Sequence, residues 1–121
     1  MGLLDKLFNR QPKPGAPVDI TDYDFEQLVL ASDTPAVVNF YSTSCSHCQV
    51  MGGLLREIGP NYVERVNIFK ININENPETA RMYQIQSVPT LVFFRDHRPR
   101  DKVIGLIALN PLKQKLDSLL N

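Results

Sequence analysis

This chain of 121 residues has no tryptophan, two histidines and only two cysteines. Two cysteines can close at most one internal bridge, which excludes a disulfide-dense secreted scaffold. No run of about 18 apolar residues is present, so no apolar membrane-spanning helix is expected. No apolar core with a small-residue cleavage site marks the N-terminus, and the expected compartment is cytoplasmic. Thirteen basic side chains balance thirteen acidic ones, for a formal net charge of +0. Without a positive excess to attract a polyanion, no nucleic-acid partner is expected. Internal repeats and low-complexity tracts are also missing. What remains is a chain long enough to bury a core without metal or disulfide staples.

The two cysteines lie three residues apart, in Ser44-Cys45-Ser46-His47-Cys48. Upstream, Ala36-Val37-Val38-Asn39-Phe40-Tyr41 is a nearly continuous apolar run of strand length, as for a strand covered on both faces. Downstream, Cys48, Met51, Leu55 and Ile58 form one stripe of a helix that Gly59-Pro60 would stop. Cys45 is therefore expected where a strand ends and a helix begins. Unpaired backbone N–H groups and the helix dipole there stabilise a thiolate. Cys48, one turn in, should face the core, leaving an exposed ionisable sulfur backed by a sheltered one, the arrangement that thiol–disulfide exchange needs.

Residues 1–17 read as a leader. Leu3, Leu4, Leu7 and Phe8 share one side of a short helix within residues 1–10, and a Pro-rich linker follows over 11–17. The plain reading is a passive leader or a turn packed on the domain; the sharper one is a weak contact of residues 1–10 with a partner or a membrane surface. The compact domain is expected over 18–121. Val18-Asp19-Ile20 suits a short strand, and Thr21 with Asp24 resembles a capping box. Phe25, Leu28 and Val29 mark the buried face of a first helix. A further strand lies within 66–73, and Asn76-Pro77 opens a short helix with Asn76 as N-cap. Val88-Pro89-Thr90 leads into the apolar strand Leu91-Val92-Phe93-Phe94, with the proline near its start, where a missing N–H is tolerated. A turn at 96–99, a strand over 102–104 and a last helix opened by Asn110-Pro111, with Leu112, Leu116, Leu119 and Leu120 inward, complete the order.

These segments together resemble the thioredoxin family over 18–121. The resemblance rests on the Cys-x-x-Cys pair after the apolar strand, on Lys70-Ile71-Asn72-Ile73-Asn74-Glu75-Asn76-Pro77, on residues 83–94 with Val88-Pro89-Thr90, and on Gly105. It implies an α/β thioredoxin-like fold: a central mixed β-sheet, built from a βαβ half and a ββα half and flanked by helices. It also implies that Cys45 attacks a substrate disulfide and Cys48 resolves the mixed disulfide. Pro89 would be cis, and Ser44, Val88, Pro89 and Gly105 would border the substrate. No cofactor or resident metal is implied.

The departures from the family motif Trp-Cys-Gly-Pro-Cys carry their own expectations. Ser44 replaces the large apolar ring, and Ser46-His47 replace Gly-Pro. Asn39 stands where the family has a buried aspartate that accepts the proton of the second cysteine, and Lys70 is left without that partner. Gly52-Gly53 replace a proline-containing kink and should soften the helix. Protonated His47 would favour the Cys45 thiolate, found only in the reduced protein, and so raise the potential. The same histidine position occurs in the disulfide-introducing oxidases of the bacterial periplasm, whose motif is Cys-Pro-His-Cys. His47, Asn39 and Lys70 are thus the expected tuning residues. The expected function is a protein-disulfide oxidoreductase, net reducing yet less reducing than thioredoxin, acting on protein disulfides and recharged by an unidentified reductase or thiol. The rivals are a zinc site drawn from Cys45, Cys48, His47 and His97, and a thioredoxin-fold interaction module without turnover. The arginines of the turn at 95–100 read as a solvated hairpin tip, with an acidic partner as the alternative.

Overall fold

The computed structural model describes residues 14–121. The helix expected within 1–10 lies outside the described residues. Of the Pro-rich stretch, 14–17 are described: they turn at Gly15, whose φ is +86°, so close to Gly59 that a Cβ on either glycine would collide with the other's backbone.

Among the described residues, five strands form one sheet: β1 (Val18–Asp19), β2 (Ala36–Tyr41), β3 (Asn67–Asn72), β4 (Thr90–Arg95) and β5 (Arg98–Ile104). Their spatial order is β1-β3-β2-β4-β5. β3 runs parallel to β1 and β2, whereas β4 is antiparallel to β2 and β5 to β4. Mixed pairing therefore begins where the βαβ and ββα halves meet, at β2 and β4. The helical elements among the described residues are α1 (Glu26–Leu30), α2 (Ser46–Ile58), which a short 3-10 turn (Gly59–Tyr62) follows directly, α3 (Pro77–Met82) and α4 (Leu109–Leu120).

The apolar run of β2 is explained by two cores. Val37 joins Met51, Leu55 and Ile58 of α2 and Leu112 and Leu116 of α4 on one face. Ala36, Val38 and Phe40 join Phe25, Val29 and Phe94 on the other. Successive strand residues point to opposite faces, so a central strand covered on both must be apolar at nearly every position. Asn39 is the exception, 2% exposed and, by the same alternation, on the α2 face with Val37. An edge-to-face cluster of Phe25, Tyr83 and Phe94 closes the second core.

Several local expectations change. The first helix is a single π turn, Ala31 N–H donating to Glu26 O at 2.8 Å, and Leu28 is 38% exposed rather than inward. Asp24 does reach back to the Thr21 N–H at 2.7 Å. Asn76 precedes α3 but does not cap it: its carboxamide accepts from Asp22 N–H and donates to Asn72 O. The cap comes from Asp22, whose carboxylate accepts from Glu78 N–H, Thr79 N–H and Thr79 Oγ1 at 3.0, 2.8 and 2.6 Å. α4 starts at Leu109, ahead of Asn110-Pro111, because Pro111 fits the first turn of a helix, where no N–H is needed. The hairpin turn shortens to Asp96 and His97, both at positive φ, and β5 lengthens accordingly.

Candidate active site

The cysteine pair sits where the chain leaves β2 and enters α2. Cys45 is extended, at φ −106° and ψ 110°, and serves as the N-cap: its sulfur accepts the Cys48 N–H at 3.0 Å. A sulfur in the N-cap position meets an otherwise unpaired helical N–H and the positive end of the helix dipole, both of which favour negative charge on Cys45 when the bridge opens. Cys45 and Cys48 form a disulfide with Cα atoms 5.2 Å apart. Cys45 is half-buried at the surface, whereas Cys48 is 5% exposed.

The loop before β4 lies against this bridge. Val88 O is 3.8 Å from Cys45 Sγ, and the Val88–Pro89 peptide is cis. Gly105, at φ +90°, donates its N–H to Pro89 O at 2.8 Å, so the end of β5 is tied to the same loop. A residue with a side chain would be strained at that φ. Ile104 and Leu106 flank Gly105 and are 68% and 45% exposed. Sequence reasoning does not single them out; their place beside Gly105 is the only signal for them. Ser44 and His47 are exposed on either side of Cys45, which leaves the rim open where a tryptophan would stand.

Beneath Cys48 lies a cavity of about 390 Å³, lined by residues that include Asn39, Tyr41, Gln49, Arg56 and Lys70. Lys70 has found a substitute anion: its ammonium is 3.8 Å from Asp19 Oδ2 and 5.5 Å from the Tyr41 ring centre. Tyr41 donates its hydroxyl to Asp19 Oδ1 at 2.8 Å. Burial, that hydrogen bond and the nearby negative charges of Asp19 and Glu75 push the phenol up to about 12. Asn39 Oδ1 is buried and has no hydrogen-bond partner among the described residues. α2 is continuous through Gly52 and Gly53.

The structure thus brings together Cys45, Val88 and Gly105, all half-buried, with Cys48 and Pro89 buried beside them, and places Asn39 and Lys70 around the cavity. His97 stands apart, beyond the far end of β4, with its ring nitrogens 2.7 Å from Leu30 O and 3.3 Å from Asp33 Oδ1. It cannot join the cysteines, and among the described residues no group of three or more His, Cys, Asp or Glu could hold a metal ion. The zinc alternative therefore has no support.

A half-buried sulfur at a helix N-terminus, bonded to a sheltered sulfur one turn away on a mixed sheet, defines a dithiol–disulfide protein of the thiol–disulfide oxidoreductase class. A family model described as thioredoxin matches residues 16–118. The chain is 35% identical over 102 residues to thioredoxin 1 of Nostoc sp., covering 84% of this chain and 95% of that protein. It is 36% identical over 100 residues to a thioredoxin of Staphylococcus aureus, covering 83% and 94%. To the chloroplastic M-type thioredoxin of Pisum sativum it is 32% identical over 98 residues, 81% of this chain but 57% of that protein. The chain belongs to the thioredoxin family, with a thioredoxin-like α/β fold. It is a protein-disulfide oxidoreductase working through the Cys45–Cys48 pair.

Proposed function

We propose that Cys45 attacks disulfides of protein substrates and that Cys48 then resolves the mixed disulfide. The observation that carries this assignment is the N-cap geometry: Cys45 is the accessible sulfur and accepts the Cys48 N–H, while Cys48 is buried behind it. A thiolate at Cys45 opens the substrate bridge and one substrate sulfur leaves as a thiolate; Cys48, losing its proton, then closes the internal bridge and releases the second substrate sulfur. Val88, Pro89, Gly105 and Ser44 border the space in which the substrate chain would lie. Residues 18–121 are the catalytic unit and residues 1–17 a leader.

The protein acts as a net reductant in the cytoplasm, recharged by a separate reductase or small thiol. It is a milder reductant than its relatives, because protonated His47 in the first turn of α2 favours the Cys45 thiolate and with it the reduced state. The test of the role assignment is a trap: purified Cys48→Ser protein, mixed with a disulfide-containing protein such as insulin, should accumulate a mixed disulfide through Cys45, whereas Cys45→Ser should not. Equal trapping by both variants would overturn the assignment. His47→Ala should hold the disulfide more tightly than the parent; an unchanged equilibrium would remove His47 from the account.

A further inference from the structure

The end of β5 holds the loop that carries Val88 and Pro89 at two points. After the strand, the Gly105 N–H donates to Pro89 O at 2.8 Å. Within it, the Lys102 ammonium donates to Tyr83 O and Gln84 O at 3.2 and 3.5 Å, just past the last turn of α3. Residues two apart on a strand share a face, so Lys102 lies on the same side of β5 as Ile104, about 7 Å along it. Loop and strand border a half-open pocket of about 220 Å³, lined by Gln84, Gln86, Ser87, Thr90, Lys102 and Ile104.

Lys102 is the one charged side chain of these six, and it forms no ion pair among the described residues. Its two partners are carbonyls, which fix the ammonium in place without neutralising it. Asp101, on the other face of the strand, is paired with Lys115 at 2.7 Å. The Thr90 hydroxyl is given to Ser87 O, and the Gln84 and Gln86 amides and the Ser87 hydroxyl supply neutral donors around the cation. A cation already held in place loses little further freedom on binding. Room for one side chain, one fixed positive charge and neutral donors together suit a carboxylate.

We propose that this pocket takes an acidic side chain, aspartate or glutamate, of the protein substrate, with Lys102 as the specificity-determining residue. The proposal rests on the reading that Cys45 attacks protein disulfides beside Val88 and Pro89. The pocket begins at Ser87, next to Val88, whose carbonyl is 3.8 Å from Cys45 Sγ, so a substrate chain laid along that loop passes it. Substrates are then sorted by charge at Lys102, while the disulfide exchange itself is unchanged.

The test uses the pre-reduced full chain and disulfide dimers of a short peptide with one cysteine. Glutamine fills the three positions on either side of that cysteine and is replaced by glutamate one position at a time. The second-order rate constant for peptide reduction should rise about fivefold for glutamate over glutamine at one position or more, the upper end of what an exposed ion pair contributes. In Lys102→Gln that ratio should fall below about twofold. Because the ratio is taken within each variant, a general loosening of the loop cancels from it. No position above about twofold in the parent, or a preference that survives in Lys102→Gln, overturns the proposal. The parent alone also tests it: at about 1 M salt, where the Debye length is about 3 Å, the preference should shrink below about twofold, and a salt-independent preference overturns it even if the variant does not fold. If the parent reduces neither the glutamine peptide nor insulin, the functional reading falls and the proposal with it. Reduction of the glutamine peptide without a glutamate preference sinks the proposal alone.

Discussion

At the end of β4 that leads into the hairpin, polar side chains are met by partners: Arg95 donates to Leu119 O at 2.6 Å, Arg100 to Asp96 at 2.8 Å, and His97 bridges Leu30 O and Asp33. At the opposite end the Asn39 oxygen has no donor, and Ile104 and Leu106 expose apolar surface beside Gly105. The two ends share one strand but treat their groups differently. Satisfied groups fix the hairpin, whereas the cysteine end keeps one buried acceptor unpaired among the described residues and apolar surface exposed. Local rules of good construction are expected to fail at functional sites, and in this molecule they fail at the cysteine end.

The largest expected effect is at that end. Cys45→Ser should lower the rate of insulin disulfide reduction by more than about 100-fold, since a hydroxyl cannot form the mixed disulfide; a residual rate above a tenth of the parent's would contradict the contrast. A smaller but measurable loss is expected from Asp22→Ala, which sharpens it, because α3 also begins at the cysteine end yet is fully capped by Asp22. That change should cost about 1 kcal/mol, or about 4 °C in melting temperature, with the reductase rate kept. The contribution should depend on pH. Burial raises the Asp22 carboxyl, but the hydrogen bonds from Thr79 and Glu78 and the Arg81 charge outweigh it and hold it below the usual 3.8. A folded-state value below the unfolded one means that the stabilisation is present above about pH 4 and is lost as the pH falls through the lowered value. The gap in melting temperature between Asp22→Ala and the parent should therefore be full at pH 7 and close toward pH 2. At the hairpin end, His97→Ala removes exposed contacts only and should cost less than about 1 kcal/mol without altering insulin reduction; a loss of activity there would break the separation of the two ends.

The site was more legible in the sequence than its support. Cys45, Cys48 and the strand before them announce themselves because each signal is local: a three-residue spacing, a run of apolar residues, a helical stripe. The fold class followed from the family resemblance that these segments carry together with Val88-Pro89. The Asp22 cap was not legible, since donor and acceptor are 56 residues apart and Asn76, directly before Pro77, carries the ordinary capping signal. Leu28 misled for a related reason: a π turn rotates each residue less than an α-helix does, so helical spacing placed it inward. The hairpin turn has Asp96-His97 in place of a glycine-containing pair, which hid its tightness. Asn39 was visible as a departure, but its unpartnered oxygen is a property of packing.

The central claim is that Cys45 and Cys48 form a reversible redox couple less reducing than thioredoxin. Equilibrating the full chain with glutathione buffers and quantifying its disulfide tests it most directly. The established values for the bracketing proteins are about −270 mV for thioredoxin and about −120 mV for the periplasmic oxidase. The account predicts reversible formation with a potential between them; no reversible disulfide, or a potential at or below that of thioredoxin, would contradict it.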